Sequence, residues 1–433
     1  MKQLKYFLSM CALAIVGTMM VGCSSSDDDS DASGMQTETD NPIENSSMRN
    51  TPLTLEAIED GVITFANYSS GSVSYRINDG EMKSITSRTT SEIPVKAKDK
   101  VVFLADNATY RPKSDKDPDS NITCNVDCYI YGNIMSLINS KDYATTTTLN
   151  GDYAFCNLFS GARIKNHPTH LLLLPATNLT KGCYLSMFLD CTGLTKTPEL
   201  PATQLEESCY TGMFKGCISL IDAPKLPATT LASSCYWSMF YNCTSLTKTP
   251  ELPATQLEES CYRGMFGGCT SLSKAPELPA MVLSRSCYAS MFIGCSNLKE
   301  APKLPAKTLA SSCYWCMFSN CTSLTKAPEL PATTLTSLCY CAMFMGCSNL
   351  TEAPVLPATT LTESCYSDMF KDCIKLNSVT CLATEIKHNE YLCTRSWLDG
   401  VSNTGIFKKA PSMNNWPRNV DGIPSGWTIV DAN

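Results

Sequence analysis

Polar and apolar residues follow three rhythms along this 433-residue chain. From about residue 51 to 132 the rhythm is two. The runs Leu53 to Ile58, Val62 to Tyr68, Ser72 to Ile77 and Val101 to Leu104 alternate in the manner of half-buried strands, with Gly61, Gly71 and the turn Asn78-Asp79-Gly80 between them. Short strands separated by turn residues predict a small antiparallel β-sandwich of immunoglobulin-like type over 51–132. From Leu174 to Cys381 the rhythm lengthens to 26: the pair Leu-Pro recurs at Leu174, Leu200, Leu226, Leu252, Leu278, Leu304, Leu330 and Leu356 with no insertion. A unit this short cannot bury its own apolar face, so neighbours must stack over one shared core, as in a solenoid. The third rhythm lies inside the unit. Cys209, Met213, Phe214 and Cys217 stand at i, i+4, i+5 and i+8, which predicts a helical turn or two. Leu220, Ala223 and Leu226 then bound a short extended stretch closed by Pro227. The fold class expected is α+β: the sandwich, then a solenoid with a parallel sheet on one face and short helices on the other.

The flanks of the repeats deviate as terminal units do, because they cap an otherwise exposed core. Tyr153 to Phe159 is a degenerate copy of the repeated Cys-Tyr-x-x-Met-Phe segment. After Cys381, Gly405 to Pro411 predicts one more strand and Gly422 to Trp427 a closing cap, so the repeat region is expected over 133–433. Ahead of the sandwich, Lys2 and Lys5 precede an apolar run from Tyr6 to Gly22, shorter than the ~20 residues a spanning helix needs, which reads as a signal peptide over 1–22. Ser24 to Asn50 carries seven acidic residues against Arg49 alone, and little that could be buried. The segment 23–50 is therefore expected to be a disordered acidic tether reaching roughly 30 Å. It holds most of the chain's net charge of −7.

Among the 25 cysteines, Cys183, Cys209, Cys235, Cys261, Cys287, Cys313, Cys339 and Cys365 form one ladder, and Cys191, Cys217, Cys243, Cys269, Cys295, Cys321, Cys347 and Cys373 a second. Eight positions apart on a helix, two such cysteines would stand roughly 12 Å from each other, beyond the ~7 Å reach of a disulfide. Buried, reduced thiols packed as small apolar residues are the expectation, with bridges between units as the alternative. Cys313-Tyr314-Trp315-Cys316 spells C-x-x-C, yet other units hold Ser186, Gly212, Ser238, Gly264, Ser290, Ala342 and Asp368 at the Cys316 position, so it reads as a small scaffold residue. His167, His170 and His388 lie outside the periodic positions, which leaves the thiols without a placed base. No enzyme, cofactor or metal site is expected.

Six successive units carry opposite charges three positions apart: Lys196 with Glu199, Asp222 with Lys225, Lys248 with Glu251, Lys274 with Glu277, Glu300 with Lys303, and Lys326 with Glu329. These are the candidate ligand-contacting residues. Leu174 to Cys381 holds 14 basic and 15 acidic residues, and so neutral a surface argues against nucleic acid, which requires a basic stripe. Tyr184, Tyr210, Tyr236, Tyr262, Tyr288, Tyr314, Tyr340 and Tyr366 make a further ladder, read as core or as an exposed aromatic strip.

Two resemblances sharpen the picture. Met20-Val21-Gly22-Cys23 resembles the lipobox of bacterial lipoproteins, which implies lipidation at Cys23. Ser24 to Asp29 is similar to the acidic export signal of Bacteroides-type bacteria, which implies an outer-membrane, lipid-anchored location facing the cell exterior. The order Cys-x-x-Leu, a strand ending in Leu-Pro, then Leu, Met-Phe and Cys resembles the BspA-like leucine-rich repeats of bacterial cell-surface proteins, with Met-Phe where that family commonly has Ala-Phe and with Pro198, Pro224 and Pro250 inside the strands. The resemblance implies host-protein or cell-to-cell adhesion, and the chain is expected to act as a monomer that binds a host or bacterial surface protein, or a glycan, through the leucine-rich-repeat surface. The alternative is a glycan-capturing accessory protein of an outer-membrane uptake system.

Overall fold

A computed structural model of the chain describes residues 47–112, 118–385 and 393–432. The signal segment 1–22, Cys23, the tether as far as residue 46, and His388 lie outside the described residues. The end of the tether is joined to the folded body: the Asn133 side-chain amide donates to the Arg49 carbonyl at 3.2 Å and the Tyr143 hydroxyl to the Asn50 carbonyl at 2.8 Å.

The alternating region forms β1 (Thr54–Ala57), β2 (Gly61–Asn67), β3 (Val73–Ile77), β4 (Lys83–Ile85), β5 (Thr89–Val95), β6 (Lys100–Ala105), β7 (Asn121–Cys124) and β8 (Cys128–Asn133). Strands β4, β3, β6, β1 and β8 pair antiparallel in that order, and β5, β2 and β7 make a second antiparallel sheet. Alternation puts Ile63 and Phe65 of β2 inwards, and Phe65 meets Phe103 of β6 edge to face at 5.6 Å, so the two sheets share a core. Strands β9 (Ile164–Asn166) and β10 (Leu172–Leu173) add to β8 in parallel.

Inside the repeats the short helices expected on one face are absent, which corrects the α+β expectation. Every fourth residue of the Cys-to-Cys segment has a left-handed φ: Ser208, Gly212 and Gly216 at 58°, 59° and 74°, then Ser234, Ser238 and Asn242 at 57°, 53° and 59°. Such residues cannot propagate an α-helix. The segment is instead a run of tandem turns whose N–H groups leave in alternation. Tyr210, Gly212 and Phe214 donate to the carbonyls of Cys235, Trp237 and Met239 in the next unit at 3.0, 2.8 and 2.9 Å, while Thr211 and Met213 donate three residues back, to Ser208 and Tyr210. Four-residue turns return Cys209, Met213 and Cys217 to one buried side, where a 3.6-residue helix drifts by about 40° per step.

The extended stretches also depart from a regular sheet. Through most of the repeats they touch only as isolated parallel bridges, Asp222 with Lys248, Lys274 with Glu300 and Lys326 with Glu352. Each contains two prolines, such as Pro224 and Pro227, which remove ladder donors. At the C-terminal end β11 (Glu352–Leu356), β12 (Ser378–Cys381), β13 (Gly405–Lys409) and β14 (Trp427–Asp431) form a four-stranded parallel sheet, and its last three strands hold no proline. Its one register shift falls between Glu352 and Val355, at Pro354. The segment expected as a cap from Gly422 leads into this fourth strand. The described chain is thus mostly sheet with almost no helix, in several sheets of which one is parallel.

One aromatic row threads this body. Phe65 contacts Tyr110 at 6.2 Å, Tyr110 stacks on Phe155 at 6.2 Å, and Phe155 on Tyr184 at 5.6 Å. From there the repeat tyrosines stack ring on ring to Tyr366, which meets Trp397 at 6.3 Å, and Trp397 meets Trp416 at 5.5 Å. A second row runs from Phe159 and Phe188 to Phe370.

Candidate functional site

All twelve charged positions are exposed. The parallel bridges set them in two columns. Lys196, Asp222, Lys248, Lys274, Glu300 and Lys326 make one, and Glu199, Lys225, Glu251, Glu277, Lys303 and Glu329 the other. Hydrogen bonds such as Ile221 N–H to Thr195 O at 3.2 Å and Thr247 N–H to Ile221 O at 3.1 Å hold the first column in register. The ion pair that joins two of the twelve runs between units, from Lys248 Nζ to Asp222 at 3.8 Å, with 73% and 54% of the two side chains exposed. At that exposure the pair contributes about 0–1 kcal/mol, so the columns serve as a patterned polar strip more than as a source of stability.

The tyrosine ladder is core. Its eight rings are each 1% exposed, which removes them from any contact with a ligand. Beside this ladder Trp237 is exposed and Trp315 half-buried, and the Arg263 guanidinium carbon lies 5.4 Å from one indole centroid and 5.8 Å from the other. Sequence reading missed Arg263, although it stands 26 residues after Trp237 and 52 before Trp315, in the same column.

Both cysteine ladders are fully buried and carry free thiols. In the second ladder each thiol points at the backbone of the preceding unit: Cys217 Sγ lies 3.1 Å from Phe188 O, Cys243 Sγ 3.1 Å from Phe214 O, and Cys269 Sγ 3.1 Å from Phe240 O. Burial pushes the Cys217 and Cys295 thiols up to about 12, so they stay protonated and serve as weak donors. Cys316 of the C-x-x-C is 1% exposed with φ 52°, one of the every-fourth left-handed positions.

His167 and His170 come together beside β8. Their rings are 4.3 Å apart, Tyr131 contacts both, Tyr129 contacts His167, and His167 Nε2 lies 3.9 Å from Glu56. Burial, then the neighbouring His170, lowers the His167 pKa. Among the described residues no group of three or more His, Cys, Asp or Glu side chains is arranged to hold a metal ion. Comparison with family models, with curated proteins and with solved structures finds no match to this chain.

Proposed function

We propose that this chain is a cell-surface lipoprotein, anchored through Cys23, that presents a BspA-like leucine-rich-repeat solenoid to a protein or glycan outside the cell. One observation supports this reading above the others: charged side chains recur in register along an exposed strip, while the tyrosine and phenylalanine ladders of the same units are stacked and buried. Stacked units hold the spacing of such a strip, so a partner is met along several units and not at one pocket.

The test displays the full chain on bacterial cells and probes them with immobilised extracellular-matrix proteins and a glycan panel. Capture is expected, with Cys23→Ala abolishing it by releasing the protein from the membrane. Joint neutralisation of Lys248, Glu251, Lys274 and Glu277 is expected to weaken it by about threefold to tenfold, because each exposed charge contributes little. Unchanged capture after neutralising all twelve positions sinks the strip as the binding surface. Full protection from protease added to intact cells sinks the surface display.

A further inference from the structure

We propose a second ligand site, separate from the charged strip: a cationic recess, where β8 and β9 meet the first two repeat units, that takes a saccharide bearing a sulfate or carboxylate group. The recess has a volume of about 670 Å³ and is lined by Asp127, Arg163, Lys165, Thr192, Gly193, Thr195 and Ser219. That volume lies within the range of small-ligand sites.

Two cations there share one carboxylate. Arg163 Nε donates to Asp127 Oδ1 at 2.9 Å and Lys165 Nζ lies 2.7 Å from Oδ2, while Arg163 Nη1 donates to Asn125 O at 3.3 Å. Asp127 thus orients both side chains but neutralises one, and the recess keeps a positive charge beside repeats whose own charges cancel. The guanidinium retains further N–H donors and the ammonium two more, on side chains 54% and 44% exposed. Hydroxyls surround them. Thr195 Oγ1 donates to Asn166 at 3.2 Å, which leaves its lone pairs as acceptors, and Thr192 and Ser219 stand alongside. Paired cations bind an anionic group by charge-assisted hydrogen bonds, and hydroxyls exchange bonds with a sugar. No aromatic side chain lines the recess and its net charge is one, which suits neither nucleobase stacking nor a nucleic-acid backbone.

Gly193 shows that the recess is built into the fold. The same position is Ser219, Ser245, Ser271, Asn297, Ser323, Asn349 and Lys375 in later units. In this unit a Cβ would stand 2.6 Å from Ile164 O and 3.0 Å from Lys165 Cγ. Glycine therefore lets the first repeat close onto β9 with the Lys165 stem against the turn.

Calorimetric titration of the full chain tests the site with three probes: a sulfated heparin-derived tetrasaccharide, an unsulfated oligogalacturonate, and inorganic sulfate. At least one saccharide is expected to bind, more tightly than sulfate alone and less tightly at high salt; the stronger of the two identifies the anionic group. Lys165→Met and Arg163→Gln are each expected to weaken binding by about tenfold or more, because each removes a charge-assisted bond. Lys165→Arg should retain binding, and neutralising Lys248 with Glu251 should leave it unchanged, which separates this site from the charged strip. The proposal is overturned if neither saccharide binds at low salt, if sulfate alone binds as tightly, or if a Lys165→Met chain with parental melting temperature binds as the parent does.

Discussion

At the residue scale, the repeat core is decided by which buried polar atoms find a partner. Cys217 Sγ finds the Phe188 carbonyl, whereas the Tyr184 and Tyr340 hydroxyls are buried with no hydrogen-bond partner among the described residues. An unpartnered buried hydroxyl costs about 1–3 kcal/mol, while the ring beneath it is held by stacking. Tyr340→Phe is therefore expected to leave stability unchanged or to raise it, and Tyr340→Ala to lower it by about 3–5 kcal/mol. Urea unfolding of the two variants checks this, and a loss in the phenylalanine variant close to that of alanine would show that the hydroxyl is bonded. The charged pairs were legible as an exposed pattern from their regular spacing. That Lys248 reaches Asp222 of the preceding unit was not, because the meeting depends on how units register.

At the element scale, the Cys-to-Cys segment was misread because its apolar spacing of i, i+4, i+5 and i+8 suits a helix and a train of four-residue turns alike. The discriminating signal lay in the small and polar residues between. Gly212 and Gly216, Ser238 and Asn242, Gly264 and Gly268, and Asp368 and Asp372 stand four apart, at left-handed positions. Glycine, asparagine and aspartate enter that conformation most readily, and an ordinary L-residue pays about 1–2 kcal/mol. Leu338, at φ 58°, occupies a position that is serine in most other units. Leu338→Asn is expected to raise stability by up to about 1 kcal/mol, read as a higher urea midpoint at unchanged slope. A lower midpoint would mean that the leucine side chain contributes more packing than its backbone costs. The prolines are legible in the sequence as donors missing from the strands, and the structure shows the extent of that effect in the contrast between the isolated bridges and the continuous, proline-free β12 to β14 ladder.

At the scale of the whole molecule, the aromatic row joins the N-terminal sheets to the repeats and to Trp416, so the described residues share one continuous apolar core. The sixteen ladder thiols lie inside that core and are reached by reagent only when it opens. Titration with a thiol reagent is expected to leave them unmodified in the native chain and to count them all after denaturation without reductant. Few titratable thiols in the denatured chain would show bridged ladders in their place.

Sequence by itself determined the period, the number of units, the two-residue alternation of the first strands and the exposure of the charged positions, because each is a local property of spacing and residue type. Tertiary structure alone decided where the backbone N–H groups go. Half of those in the Cys-to-Cys turns cross to a carbonyl of the neighbouring unit, and only a stacked partner supplies that acceptor. It also decided which residues far apart in the chain converge. Asp127, Arg163, Lys165 and Ser219 belong to no common repeat position, and they line one recess because β9 docks parallel to β8 and Gly193 lets the first unit close against it.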